Sequence, residues 1–175
     1  MTLSFRVNCA PLPLDLTHLI VAGWTGRDAD AIAHHIAELA ELGVPAPSDT
    51  PLYYRVSAPL LTDAPLIEAV GGASSGEVEP LIVEANGKRY LGLASDHTDR
   101  ALEAHSVAMS KQVCAKPCAL ELWEWDEVAE RLEEIELESW IEEGGDWVPY
   151  QSGTIASIRP LTELIAGSRL SELAK

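Results

Sequence analysis

Three carboxylates that fall together in space are the first sign of chemistry in this chain. They lie in the stretch SGEVEPLIVEANGKRYLGLASDHTDR, residues 75–100. The dipeptide Asn86-Gly87 at its centre is a strong hairpin signal, because both turn positions need positive φ. A two-residue turn pairs Ala85 with Lys88, Val83 with Tyr90, Leu81 with Gly92 and Glu79 with Ala94. The next step sets Glu77 opposite Asp96. Pro80 provides a check on this register. Alternation makes Pro80–Leu93 a non-hydrogen-bonded pair, so the missing proline N–H costs the ladder nothing. Residues two apart share a face of the sheet, and so do cross-strand partners. Glu77, Glu79 and Asp96 therefore converge within roughly 5–8 Å of one another, on the face that also carries Leu81 and Val83.

Like charges so placed repel, and partial burial raises the cost. A divalent cation is the simplest compensator. All-oxygen ligation favours a hard ion, Mg²⁺ or Mn²⁺, with Ca²⁺ in the same class. The opposing reading is a bulge near Pro80, which would turn Asp96 away and leave an ordinary acidic edge.

The elements around the hairpin follow from pattern and punctuation. Residues 3–9 alternate as a strand, and residues 19–24 read as a second, buried one. Asp28 is placed to cap a helix over residues 29–42, ADAIAHHIAELAEL, which Gly43 stops. Prolines 45, 47 and 51 mark a loop before the short apolar piece LYYRV. Residues 101–109 are expected to form a helix capped by Asp99, and CALELWEW a strand. DEVAERLEEI, residues 126–135, reads as an amphipathic helix with Val128, Leu132 and Ile135 on one side. A strand ending at Gly144-Gly145 and a short helix over residues 162–166 complete the pattern. Hairpins with a few helices argue for one α+β domain over residues 1–175, with mostly antiparallel or mixed sheets.

Composition narrows the partners. The chain has 175 residues, 28 acidic against 12 basic, and a formal charge of −16. Such a surface repels phosphate backbones and anionic lipid, so neither nucleic acid nor membrane is an expected partner. The longest apolar run, residues 19–24, is too short to span a bilayer, and the first residues carry no secretion signal. Three cysteines imply no disulfide framework. Cys114 and Cys118 lack a nearby His or Cys set for zinc. A reduced, cytoplasmic compartment is expected.

GEVEPLIV followed by SDHTDR resembles the E-x-E and D-x-x-x-R signature of the fumarylacetoacetate hydrolase superfamily. GRDADAIAHHIAEL is similar to that family's lid segment, PLYYRV to a substrate-contacting strand, and MSKQVCAKPCAL to a lysine-bearing segment before a proline. With AGWTGRD ahead of them, these segments sit closest to an uncharacterised bacterial branch, over roughly residues 20–125. The resemblance implies a β-roll with mixed sheets, a homodimer, and Mg²⁺ or Mn²⁺ on Glu77, Glu79 and Asp96. It implies a hydrolase or lyase acting on small β-dicarbonyl or acylpyruvate-type oxo-acids. Arg100 and Lys111 would then be polar groups beside the substrate, and His35 with Glu38 would activate water. The alternative is a catalytically incomplete protein that binds metal or a small acid without turnover. The family also has a Gly-Thr segment and further strands. Here Gly153-Thr154 stands in a different context, so either those strands are missing or another subunit supplies their surface.

Each of these residues has a plainer reading from spacing alone. His35 and Glu38, three apart on a helix, fit a surface pair, with His34 turned to solvent. Lys111 fits a surface lysine, and Arg100 fits a partner of Asp96 or Asp99. His97 and His105 suit structural roles, and Cys114 a small buried side chain. The Trp123–Trp125 pair and the acidic stretch from Glu121 to Glu143 fit a strand and a solvated helix face, with a dimer contact as the alternative for an exposed Trp cluster.

Overall fold

A computed structural model of the chain describes residues 2–41 and 43–173. β1 (Thr2–Val7) and β2 (Ala10–Asp15) form a hairpin. β3 (Leu19–Gly23) and β4 (Leu52–Val56) pair antiparallel as a separate ribbon, with α1 (Ala29–Glu41) between them in sequence. The short strands β5 (Leu61–Thr62) and β6 (Ser74–Ser75) lead to the central hairpin, β7 (Val78–Ala85) and β8 (Lys88–Ser95). β9 (Thr98–Asp99) then runs into α2 (Arg100–Glu103) and α3 (Val107–Gln112). β10 (Lys116–Pro117) and β11 (Glu121–Glu124) follow, then α4 (Trp125–Val128) and a 3-10 stretch, Ala129–Glu134. β12 (Glu136–Glu143) and β13 (Asp146–Thr154) make a third ribbon, before α5 (Leu161–Ser168) and α6 (Leu170–Leu173).

The main sheet has five strands in the order β2-β1-β11-β8-β7. β1 and β11 are parallel, and the other neighbours are antiparallel. The architecture is mixed α+β with mostly antiparallel sheets. Among the described residues, no helix is long and apolar enough to cross a membrane.

Successive strand residues point to opposite faces, and each face of this sheet carries a core over part of its area. One face buries Leu3, Phe5, Leu14, Leu81, Val83, Tyr90 and Leu122 together with Leu61. On the other, Leu91 packs with Leu132, Ile155, Leu161, Leu164 and Ile165. Tyr90 and Leu91, adjacent in β8, thus serve different cores.

Three expectations need correction. Residues 126–135 do not form one α-helix, because α4 gives way to a 3-10 stretch. Glu127, Glu130, Glu133 and Glu134 are like-charged neighbours at helical spacing, which weakens a regular α-helix there. The tighter winding still brings Val128, Leu132 and Ile135 onto the second core. Residues 101–109 break into two helices because each has its own cap. Asp99 accepts from the Leu102 N–H at 2.9 Å, and Ser106 from the Met109 N–H at 3.3 Å. β3, read as a buried strand, is half-buried at all five residues. The last residue of the helix expected over 29–42, Leu42, lies outside the described residues.

One close approach locks the hairpin against its neighbour. A Cβ on Gly92 would come within 2.6 Å of Leu122 Cδ2, in a side chain only 3 % exposed and unable to swing away. Gly92→Val is expected to lower stability by about 1–3 kcal/mol through overpacking, read from the midpoint of urea unfolding.

Candidate functional site

The hairpin takes the register that its turn dictates. Val83 pairs with Tyr90, Leu81 with Gly92, Pro80 with Leu93 and Glu79 with Ala94. Just past the strand end, the Asp96 N–H donates to the Glu77 carbonyl at 2.8 Å, so no bulge turns Asp96 away. Glu77, Glu79 and Asp96 line one cleft of about 390 Å³, and His35, Arg100 and Lys111 line it with them.

Cationic side chains meet the carboxylates first. Lys111, in the last turn of α3, donates to Asp96 Oδ2 and, at 3.4 Å, to Thr98 Oγ1. Its ammonium also lies 5.9 Å from the centre of the Tyr54 ring. Lys116, only 2 % exposed, sits 3.2 Å from Asp96 Oδ1. It is held there by donating to the carbonyls of His97 and Lys111, the latter at 2.7 Å. Buried Asp96 Oδ1 has this ion pair as its contact and no further hydrogen bond to a described residue. Arg100 opens α2 and pairs with Glu77 and, at 2.7 Å, with Glu103. Neither Asp96 nor Asp99 is its partner, contrary to the plainer reading of the spacing.

The balance of charge explains what remains. Arg100, Lys111 and Lys116 face Glu77, Glu79, Asp96 and Glu103, which leaves one formal negative charge in excess. Glu79 is the carboxylate left over, with no ion pair or side-chain hydrogen bond to a described residue. Some solvent reaches it through the cleft, yet it lies deep among protein atoms. Burial, then the charges of Glu77 and Asp96, push its pKa up to about 8 against a weaker pull from Lys111. Burial likewise raises Glu77, with Arg100 and Lys111 opposing. Burial lowers Lys116, with Asp96 opposing. Burial would lower Arg100 too, but Glu103, Glu77 and the Tyr150 hydroxyl hold it above its ordinary value.

α1 forms the opposite wall. Asp28 caps it by accepting from the N–H groups of Asp30 and Ala31 at 2.9 and 3.1 Å. Ala31, Ile32, His35 and Leu39, one helical face, look into the cleft. Glu38 is outside the cleft wall and behind His35, with Oε2 3.6 Å from His35 Nδ1. His34, exposed as expected, also approaches Glu38, at 3.4 Å, so one carboxylate serves both rings. Trp24 lies against His35 with ring centres 6.0 Å apart, and its Nε1 donates to the Tyr54 hydroxyl at 3.2 Å. Among the described residues, no three His, Cys, Asp or Glu side chains are gathered closely enough to hold a metal ion as they stand.

The structure thus brings together the sequence-assigned Glu77, Glu79, Asp96, Arg100, Lys111 and His35, with Glu38 one shell behind. Lys116, Glu103 and Tyr150 were not foreseen. A lone lysine in the apolar run VCAKPCAL of a chain so acidic was the available signal for Lys116. His97 takes a supporting role, with Nδ1 2.9 Å from Ser95 Oγ and its carbonyl holding Lys116. Cys114 is buried as a small core residue. Trp123 is half exposed, but Trp125 lies under Arg89, 5.1 Å from the guanidinium carbon, so the two do not form one exposed pair.

Glu79 gives a pH signature in metal-free protein. Its pKa is raised on folding from about 4.5 to about 8, so the folded state holds the extra proton across that window. Its contribution to stability is complete below pH 4.5 and lost as pH rises through about 8. Glu79→Gln keeps the neutral shape, and its unfolding temperature is expected to fall less than wild type's between pH 5 and 9 in EDTA. An unchanged pH slope would mean that Glu79 titrates normally.

No curated protein and no solved structure matches the chain. One family does, over residues 22–175, under the description "Protein of unknown function (DUF2848)". With most of its length inside that match, the chain belongs to the DUF2848 family.

Proposed function

We propose that this chain is a divalent-metal-dependent hydrolase or lyase of small β-dicarbonyl or acylpyruvate-type oxo-acids. In this reading it has a fumarylacetoacetate hydrolase-like fold and works as a cytoplasmic homodimer. The observation that carries the reading is the convergence of Glu77, Glu79 and Asp96 in one cleft with His35, Arg100 and Lys111.

Two features of the donor set fit a hard cation. Asp96 Oδ1 is buried with only the Lys116 ion pair to meet it, and burial beside Glu77 and Asp96 keeps a proton on the Glu79 carboxyl. Glu77, Glu79 and Asp96 would hold the ion, once Arg100 and Lys111 yield their present pairings. Mg²⁺ or Mn²⁺ bound there would supply Lewis acidity toward an enolate leaving group. The remaining work belongs to the chain's own side chains. Arg100 presents a planar fork suited to a substrate carboxylate. The Lys111 ammonium, buried and released from Asp96, would hold an oxygen on which negative charge develops. His35 takes a proton from water near neutral pH, with Glu38 orienting its Nδ1. In a decarboxylation no water need be deprotonated, and the His35–Glu38 pair matters less.

The second reading is a binding protein without turnover. It draws support from the ion pairs Arg100–Glu77 and Lys111–Asp96, which already neutralise two of the three carboxylates.

Thermal unfolding against Mg²⁺ and Mn²⁺ tests the shared premise. A ligand of the folded state alone adds about 2.7 kcal/mol at a hundredfold excess over its dissociation constant. Wild type is expected to show that gain, and Glu77→Gln/Glu79→Gln to show none. Absence of a saturating response in wild type would remove the metal site. Turnover of oxaloacetate or an acylpyruvate with Mn²⁺, abolished in His35→Ala for the hydrolytic reaction, selects the enzyme. Metal binding with no turnover selects the second reading.

A further inference from the structure

A second cavity, of about 520 Å³, lies along β7, the edge strand of the main sheet. That volume is typical of small-molecule sites. Its walls are mostly apolar, with Leu81 and Val83 from β7, Leu19 and Val21 from β3, and Leu164 and Ile165 from α5. It meets the acid cleft, because Ala22, Thr25, Glu79 and Asp96 belong to the walls of both. Lys116 stands at the shared end. At the rim, Glu84 is already satisfied by Arg89 at 2.5 Å and by the Ser171 hydroxyl at 3.0 Å. One end of the combined space is therefore charged, and the rest is greasy.

β3 supplies a second observation. Its sequence, LIVAG, is that of a strand buried on both faces, yet all five residues are only half-buried. Four of them, Leu19, Ile20, Val21 and Ala22, line the trench. A small dicarboxylate such as oxaloacetate would sit within the acid cleft and leave this apolar surface against water. We infer that the trench is the subsite for a hydrocarbon tail, and that the ligand is an acylpyruvate-type 2-oxo acid with a medium-length aliphatic chain. Its carboxylate and keto oxygens lie in the acid cleft, and its chain lies between β7, β3 and α5. The placing of the head group rests on the function proposed above; the placing of the tail does not.

The test is calorimetric titration with straight-chain 2-oxo acids from pyruvate to 2-oxodecanoate, which keep the head group but lack the second carbonyl that cleavage needs, in EDTA and in Mn²⁺. Wild type, Val21→Asp and Leu173→Asp, a second wall residue from α6, are compared, each checked for an intact unfolding transition. Affinity for wild type is expected to rise about fourfold for each added methylene, the worth of burying one CH₂ group. In a folded variant the slope is expected to flatten. No dependence on chain length in wild type overturns the trench assignment, even where Mn²⁺ still stabilises the protein and the metal reading stands. A chain-length slope that persists in EDTA, in protein that ignores Mn²⁺, upholds the trench and removes the metal. If both folded variants keep the full slope, the tail binds elsewhere and the inference falls. So it does if long-chain binding vanishes as sedimentation shows a dimer forming, since a second copy would then cover the trench.

Discussion

Glu77, Glu79 and Asp96, at the open end of the β7–β8 hairpin, lie on the side of the sheet that faces the first core. Glu77 and Glu79 continue the row of Leu81 and Val83, and Asp96 continues the row of Tyr90, Gly92 and Ala94. A charge in such a place is costly unless it is paired or loses its proton. The surrounding chain answers that demand at each carboxylate. Lys111 and Lys116 come to Asp96, Arg100 comes to Glu77, and Glu79 is left to a proton.

Those cations arrive by local devices. The chain leaves β8 at Asp96 and returns to the same carboxylate at Lys111 and again at Lys116. It does so through two helices too short to be stable alone. Asp99 caps the first and Ser106 the second, and burial of Ser110 and Lys111 packs the second helix in place. Lys116 works as a staple, with one ammonium holding two main-chain carbonyls while it faces Asp96. The β12–β13 ribbon braces the same corner from the other side. Gln151 accepts from the Val78 N–H at 2.6 Å and from Ser139 Oγ at 3.1 Å, and Tyr150 supports Arg100. The corner of the sheet that carries the carboxylates is thereby tied down by residues from three separate stretches of chain.

What could be read from the sequence was what local rules determine. The Asn86-Gly87 turn has one compatible strand register, and with period two that register set the shared face of Glu77, Glu79 and Asp96 before any fold was known. Asp28 and Asp99 declared themselves as caps by position. The partners of the carboxylates were beyond such rules. Arg100 pairs with Glu77, 23 residues away, and nothing in the spacing prefers that residue to the nearer Asp96 or Asp99. Lys116 reads as an ordinary lysine until β10 is set beside β5 and its ammonium turns inward. The break at residues 129–134 was hidden for another reason, since hydrophobic periodicity survives a change from α to 3-10 winding. β3 misled because apolar composition reports the wish to be buried, and a trench leaves that wish partly unmet.

Proton and cation would be alternative answers to one electrostatic problem, and they would compete. Below about pH 8 the excess negative charge of the cluster is removed by the proton on Glu79. A divalent ion placed among the same three residues would have to expel that proton, so its apparent affinity would weaken as pH falls through this range. It would also relax two constraints at once. Arg100 would be released from Glu77 and Lys111 from Asp96, turning two structural cations into free donors beside the cleft. On the reading proposed above, the cations whose pairings hold the cluster together are the ones that a bound oxo-acid would need, and the stability of the corner would then be tied to that binding.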